Sequence, residues 1–145
     1  MLRVTIVVSL LIFFFSCINP PEYSPIPEIS FDSISTTFLR AQQDSITIFI
    51  EFTDGDGDLG SEIIPNLFFT DSRTGTEEGF KIPNITPEGN VKAITGIIAY
   101  TFPALYCSPP PDRTLDTLSY GIYVVDRAGN KSNVIATPDI YLQCN

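Results

Sequence analysis

The chain has no histidine and no tryptophan, a single methionine, three cysteines, and only eight basic side chains against seventeen acidic ones. Without histidine, Ser-His-Asp and Cys-His catalysis are excluded, and so is every metal site built on imidazole. Without tryptophan, one common stacking platform for sugars is missing, leaving six tyrosines for such a role. The shortage of Lys and Arg argues against nucleic acid and against anionic membrane surfaces, because both reward positive charge. No apolar run reaches the roughly 20 residues that a spanning helix needs at 1.5 Å rise per residue.

What is present begins with the first seventeen residues. Arg3 is a basic start, Val4 to Phe15 carries no charge, and small Ser16 precedes Cys17. A basic start, an apolar run of about 7–15 residues and a small residue before the cut make a secretory signal peptide. Pro20 and Pro21 end any helix that this run begins. Ser16-Cys17 after the run resembles the lipobox of bacterial lipoproteins, with Phe14 where the typical box has Leu. Looser boxes of this kind resemble those of the Bacteroidetes. The resemblance implies cleavage before Cys17, acyl chains such as palmitate on that cysteine, and a protein held by lipid in the cell envelope. The outer membrane is the expected one, with its periplasmic and surface faces both open. Residues 1–16 take Arg3 with them, so seven basic side chains then face seventeen acidic ones. About 130 residues remain, enough for one domain with one core.

With Cys17 committed to lipid, Cys107 and Cys144 are left. In the oxidising compartment that a signal peptide implies, such a pair forms a disulfide. Residues 17–27 form the lipidated cysteine and a tether, with four prolines in Ile18 to Pro27. A proline-rich linker is extended and semi-rigid at about 3.1 Å per residue, so this one spans roughly 30 Å.

From residue 28 to residue 145 the hydrophobic pattern has period two. Ile29, Phe31 and Ile34 mark a first strand. Asp44 to Phe52 is the clearest, with Ile46, Ile48, Ile50 and Phe52 on one face and Ser45, Thr47 and Glu51 on the other. Asn66 to Thr70, Glu78 to Ile82, Val91 to Phe102, Leu115 to Val125 and Val134 to Leu142 follow. Of these, Val91 to Phe102 reads as long and mostly buried. Pro138 inside the last run implies an edge position or a bulge. About seven short strands without a helix predict an all-β fold, a single antiparallel β-sandwich.

The run Tyr120-Gly121-Ile122-Tyr123-Val124-Val125-Asp126-Arg127-Ala128-Gly129-Asn130-Lys131-Ser132-Asn133 resembles the sixth strand and following turn of bacterial immunoglobulin-like and fibronectin type III-like modules. Phe52-Thr53-Asp54-Gly55-Asp56-Gly57-Asp58-Leu59-Gly60 is similar to a motif of small Bacteroidetes lipoproteins, placed just after a strand. The resemblance implies an immunoglobulin-like topology and offers Tyr120 for the tyrosine-corner role of such sandwiches.

The acidic loop carries the most distinctive chemistry. Asp54, Asp56 and Asp58 alternate with glycines, so their carboxylates can converge in a turn. Calcium, which takes six to eight oxygens, suits such a set. It is not an EF-hand: the sixth position is Leu59 instead of Gly, and the twelfth is Pro65 instead of Glu. Further ligands must therefore come from elsewhere, and Glu62 is one candidate. In an immunoglobulin-like topology, residues 53–63, 83–90 and 126–133 share one pole. That brings Asp126, Asn130 and Glu88 into view, with Asp126 the leading partner. The alternative is a solvated glycine-aspartate turn, with Asp126 and Asn130 shaping a turn of their own. The same topology puts Cys107 and Cys144 at the opposite pole.

Asp32-Ser33-Ile34, Asp44-Ser45-Ile46 and Asp116-Thr117-Leu118 resemble O-glycosylation acceptors of the Bacteroidetes. The expected function is a non-enzymatic binding or structural module contacting a protein or glycan partner. The alternative is a carboxylate-based, glycosidase-like hydrolase using the acidic loop, which requires a cleft.

Overall fold

The computed structural model describes residues 22–85, 93–108, 112 and 114–144. Cys17, the apolar run before it, Pro20, Pro21 and Glu88 lie outside the described residues. Ten strand segments are present: β1 (Glu28–Ile34), β2 (Phe38–Arg40), β3 (Ile46–Asp54), β4 (Leu67–Asp71), β5 (Glu77–Phe80), β6 (Ile94–Phe102), β7 (Leu115–Leu118), β8 (Tyr120–Val124), β9 (Ile135–Ala136) and β10 (Ile140–Gln143). The described residues contain no helix. The described residues form an all-β, sandwich-like fold, as the period-two pattern predicts.

One layer has the order β1-β3-β6, and the other combines β5-β4-β8-β9 with β2-β10-β7. The last two sheets are continuous along the chain, because β7 and β8 are separated only by Ser119. Gly121 pairs with Ala136, and Leu118 pairs with Ile140. Two residues on one side, Ser119 and Tyr120, thus oppose three on the other, a bulge at Thr137 to Asp139 where Pro138 could not donate to the ladder. Thr137 repairs the gap. Its N–H donates to Tyr120 C=O, and its Oγ1 accepts from Tyr120 N–H, each at 3.0 Å.

Two features depart from the sequence reading. β2 pairs parallel with β10, Phe38 opposite Tyr141, in an otherwise antiparallel ladder set. Its three residues bury only Leu39, too short a stretch to show any period. The second departure is β6, which alternates instead of being buried throughout. Ile94, Ile98 and Phe102 are buried, whereas Ile97 is 57% exposed. A sheet covered on one side only must expose every second residue, however apolar the run.

The core lies between the layers. Ile46, Ile48 and Ile50 of β3 are fully buried, facing Leu67, Phe69, Ile122 and Val124 of the other layer. Phe69 is the hub of an aromatic cluster, with Phe80, Tyr100, Phe102 and Tyr120 at centroid distances of 5.8, 5.2, 5.0 and 5.7 Å. Tyr120 serves there rather than at a tyrosine corner. Its ring stacks on Phe102 at 5.0 Å, and burial pushes its hydroxyl up to about 12. Among the described residues that hydroxyl makes no backbone hydrogen bond.

Cys107 and Cys144 form a disulfide, with Cα atoms 6.1 Å apart. Cys144 N–H also donates to Thr114 C=O, beside the start of β7. The bond therefore closes the end of the sandwich opposite the loop that follows β3.

Candidate metal centre

The acidic loop begins inside the core. β3 points residues 46, 48, 50 and 52 inward, and the same alternation points Asp54 inward. Asp54 is accordingly 0% exposed, at the mouth of the sandwich. Asp58 is half-buried and Asp56 exposed. One carboxylate oxygen from each of the three lies within 4.8 Å of the others.

Local backbone contacts impose this convergence. Leu59 N–H donates to Asp54 Oδ2 at 2.9 Å, curling the loop back on its start, and buried Leu59 anchors it in the core. Gly57 and Gly60 take φ of 68° and 103°, in the left-handed region that favours glycine. Gly60 also lies against Pro83, where a Cβ would stand 2.3 Å from the carbonyl oxygen.

The turn after β8 closes over the loop. Ala128 N–H donates to Asp58 Oδ2 at 3.0 Å, and Arg127 N–H donates to Asp58 C=O at 3.3 Å. The Arg127 guanidinium donates to the carbonyls of Gly60 and Gly57 at 3.3 and 3.5 Å. From the third segment, Ile85 N–H donates to Leu59 C=O. The loops placed at one pole by the expected topology thus meet there.

The proposed outer ligands are differently engaged. Asp126 is buried and close enough to Asp58 for its charge to be felt, but Asn130 occupies both of its oxygens. Asn130 N–H donates to Oδ1 at 2.7 Å and Nδ2 to Oδ2 at 2.8 Å. Gly129, at φ 91°, completes that self-contained turn. Glu62 is engaged elsewhere: its Oε1 accepts from Asn84 N–H at 3.2 Å. The close group is therefore Asp54, Asp56 and Asp58 alone, since neither Glu62 nor Asp126 joins it among the described residues.

Electrostatics make the trio expensive. Burial pushes the Asp54 carboxyl up, the Leu59 N–H opposes this, and the Asp56 and Asp58 carboxylates push it further. Burial also raises Asp58, joined by the charges of Asp126 and Asp56, against the Ala128 N–H and the Arg127 charge. Two such charges at 4 Å repel by about 1 kcal/mol even in bulk water, and by more near a protein interior. Among the described residues no Lys or Arg forms an ion pair with any of the three; the ion pairs are Arg40–Asp44, Arg73–Asp71 and Arg73–Asp116. Asp54 Oδ1 and Asp58 Oδ1 are buried and have no hydrogen-bond partner.

The sequence reading missed Arg127, Leu59 N–H and Ala128 N–H. Arg127 carries no local signature, and backbone donors are invisible in a sequence. Burial of Asp54, also not predicted, was legible, because it extends the inward series of β3 by one step. Of the Asp-Ser/Thr-aliphatic tripeptides, the one at Asp116 has a buried aspartate bound by Arg73 and an exposed Thr117. Two cavities among the described residues, of about 420 and 330 Å³, are lined by residues other than the acidic trio. Comparison of the chain with family models, with curated proteins and with solved structures yields no match.

Proposed function

We propose that this chain is a lipid-anchored, extracytoplasmic binding or structural module: acyl chains on Cys17, a proline-rich tether, and one sandwich offered to a protein or glycan partner in the cell envelope. The observation that carries the reading is the Cys107–Cys144 pair. It accounts for two of three cysteines and suits an oxidising compartment. The remaining one, Cys17, directly follows a signal-like apolar run. A non-catalytic role is supported by the lack of histidine and by carboxylates clustered at a pole, outside both of those cavities. Ile63 and Ile64, 87% and 60% exposed just beyond the acidic loop, offer an apolar contact for a protein partner.

The test is fractionation with intact-mass analysis of the full chain in a lipoprotein-processing bacterium. The expected result is a membrane-associated product that starts at Cys17 and carries acyl mass. Cys17→Ala should abolish both the acyl mass and the processing. An unmodified Cys17 in the membrane-extracted wild type overturns the reading.

A further inference from the structure

We propose that Asp54, Asp56 and Asp58 bind one hard divalent cation of the calcium class, and that this cation locks the end of the tether onto the sandwich.

The cluster alone would not carry this. The second observation is the pair of buried oxygens: Asp54, 0% exposed, leaves Oδ1 without any donor, and Asp58 leaves its own Oδ1 likewise. Buried carboxylate oxygens are ordinarily matched by a donor or a positive group. The fold supplies one N–H to each carboxylate, Leu59 to Asp54 and Ala128 to Asp58. Arg127, the nearby guanidinium, donates to the carbonyls of Gly57 and Gly60, and forms no ion pair with the carboxylates. An external cation supplies the missing positive charge. Oxygen-only donors on a glycine-rich loop suit calcium, which accepts variable geometry. Magnesium demands a near-ideal octahedron and dehydrates reluctantly.

The link to the tether runs through Gly55, which lies between the first two aspartates. Gly55 N–H donates to Ser24 C=O at 2.7 Å. A Cβ on Gly55 would stand 2.2 Å from the Tyr23 carbonyl oxygen, so only glycine permits this approach. Whatever holds the three carboxylates together therefore also holds the strip on which Tyr23 and Ser24 lie. With the cation, the module leaves its tether at a fixed angle. Without it, mutual repulsion loosens the loop and frees the joint. The orientation toward the membrane rests on the lipid-anchor reading, but cation binding and joint rigidity do not, so the two fail separately.

The test uses the full processed chain in detergent, with calcium chloride, magnesium chloride or chelator. Thermal melting reads binding, and ¹⁵N relaxation of the Tyr23 and Ser24 amides reads the joint. At a hundred times Kd, calcium should raise the melting temperature by on the order of 10 °C. The two amides should be rigid with calcium and mobile with chelator. Asp56→Asn alters an exposed side chain, so the variant should fold; it should lose most of both responses. Identical wild-type melts with calcium and chelator overturn the site, and an equal response to magnesium overturns the calcium class. A calcium-dependent melt with unchanged Tyr23 and Ser24 relaxation overturns the lock.

Discussion

Arg73 Nη1 lies 2.7 Å from Asp116 Oδ2, joining the turn after β4 to β7 across the second layer. The same guanidinium grips Asp71 through Nη2 at 2.6 Å and reaches the Tyr106 carbonyl at 2.9 Å. Asp116 in turn accepts from Ser108 N–H at 2.7 Å, one residue beyond the disulfide cysteine. This network and the Cys107–Cys144 bond therefore hold the same end of the sandwich.

Removing Arg73 should be costly, because Asp71 and the 1% exposed Asp116 would each lose a charge-assisted hydrogen bond. Arg73→Met is expected to destabilise the fold by about 3 kcal/mol, the usual scale for breaking one side of a buried pair. Urea unfolding measures it, and a change below about 0.5 kcal/mol would show that the network contributes little.

The same variant should flatten the acid limb of stability. Burial pushes the Asp71 carboxyl up, but the hydrogen bonds and charge of Arg73 outweigh this and hold it below its ordinary value of 3.8. A carboxyl depressed in the folded state contributes stability above its unfolded value and loses it as pH falls through the folded one. Wild-type stability should therefore drop as pH falls below about 4. In Arg73→Met that drop should be shallower, as read from urea midpoints at a series of pH values. A steeper drop in the variant would contradict the assignment.

Reducing the disulfide should lower stability by about 4 kcal/mol in the chain-entropy model, for a sequence separation of 37 residues. Unfolding midpoints of oxidised protein and of a Cys107→Ser, Cys144→Ser double variant give the value. Non-reducing peptide mapping should find the two cysteines in one linked peptide pair, and unlinked peptides would refute the bond.

Phe69→Ala should cost about 3–5 kcal/mol, because the ring is fully buried among four other aromatics. Phe69→Leu should cost less, since it keeps much of the volume. If both variants melt like the wild type, the core is centred elsewhere.

Asn133 clasps β1 from the opposite layer. Its Nδ2 donates to Ile29 C=O at 2.8 Å, and its Oδ1 accepts from Ile29 N–H at 2.9 Å. Asn133→Ala should remove about 1–2 kcal/mol and speed hydrogen exchange at the Ile29 amide more than at β3 amides. Uniform acceleration across both strands would argue against a local clasp.

The alternation of Ile46, Ile48, Ile50 and Phe52 was enough to predict β3 and its inward face; the burial of Asp54, one step further along the same series, was not predicted. Such a pattern is local: one face of a half-covered strand must be apolar, and the period of two writes that requirement into consecutive residues. Pro138 predicted a break in the last strand for an equally local reason, the missing N–H. The pairing of Cys107 with Cys144 followed from counting and compartment. Other relationships needed the folded chain. β2 has one inward residue and no period, and it became a strand because β10 offered a parallel edge. Asp126 looked available as a ligand until the turn closed and Asn130 occupied both oxygens. Ser24 meets Gly55, and Arg127 covers the acidic loop, across separations where side-chain pattern carries no information. Local chemistry determined which residues face inward and which backbone positions tolerate only glycine. The path of the chain, set by how two layers pack, decided which polar groups found partners and left two carboxylate oxygens of the acidic loop without one.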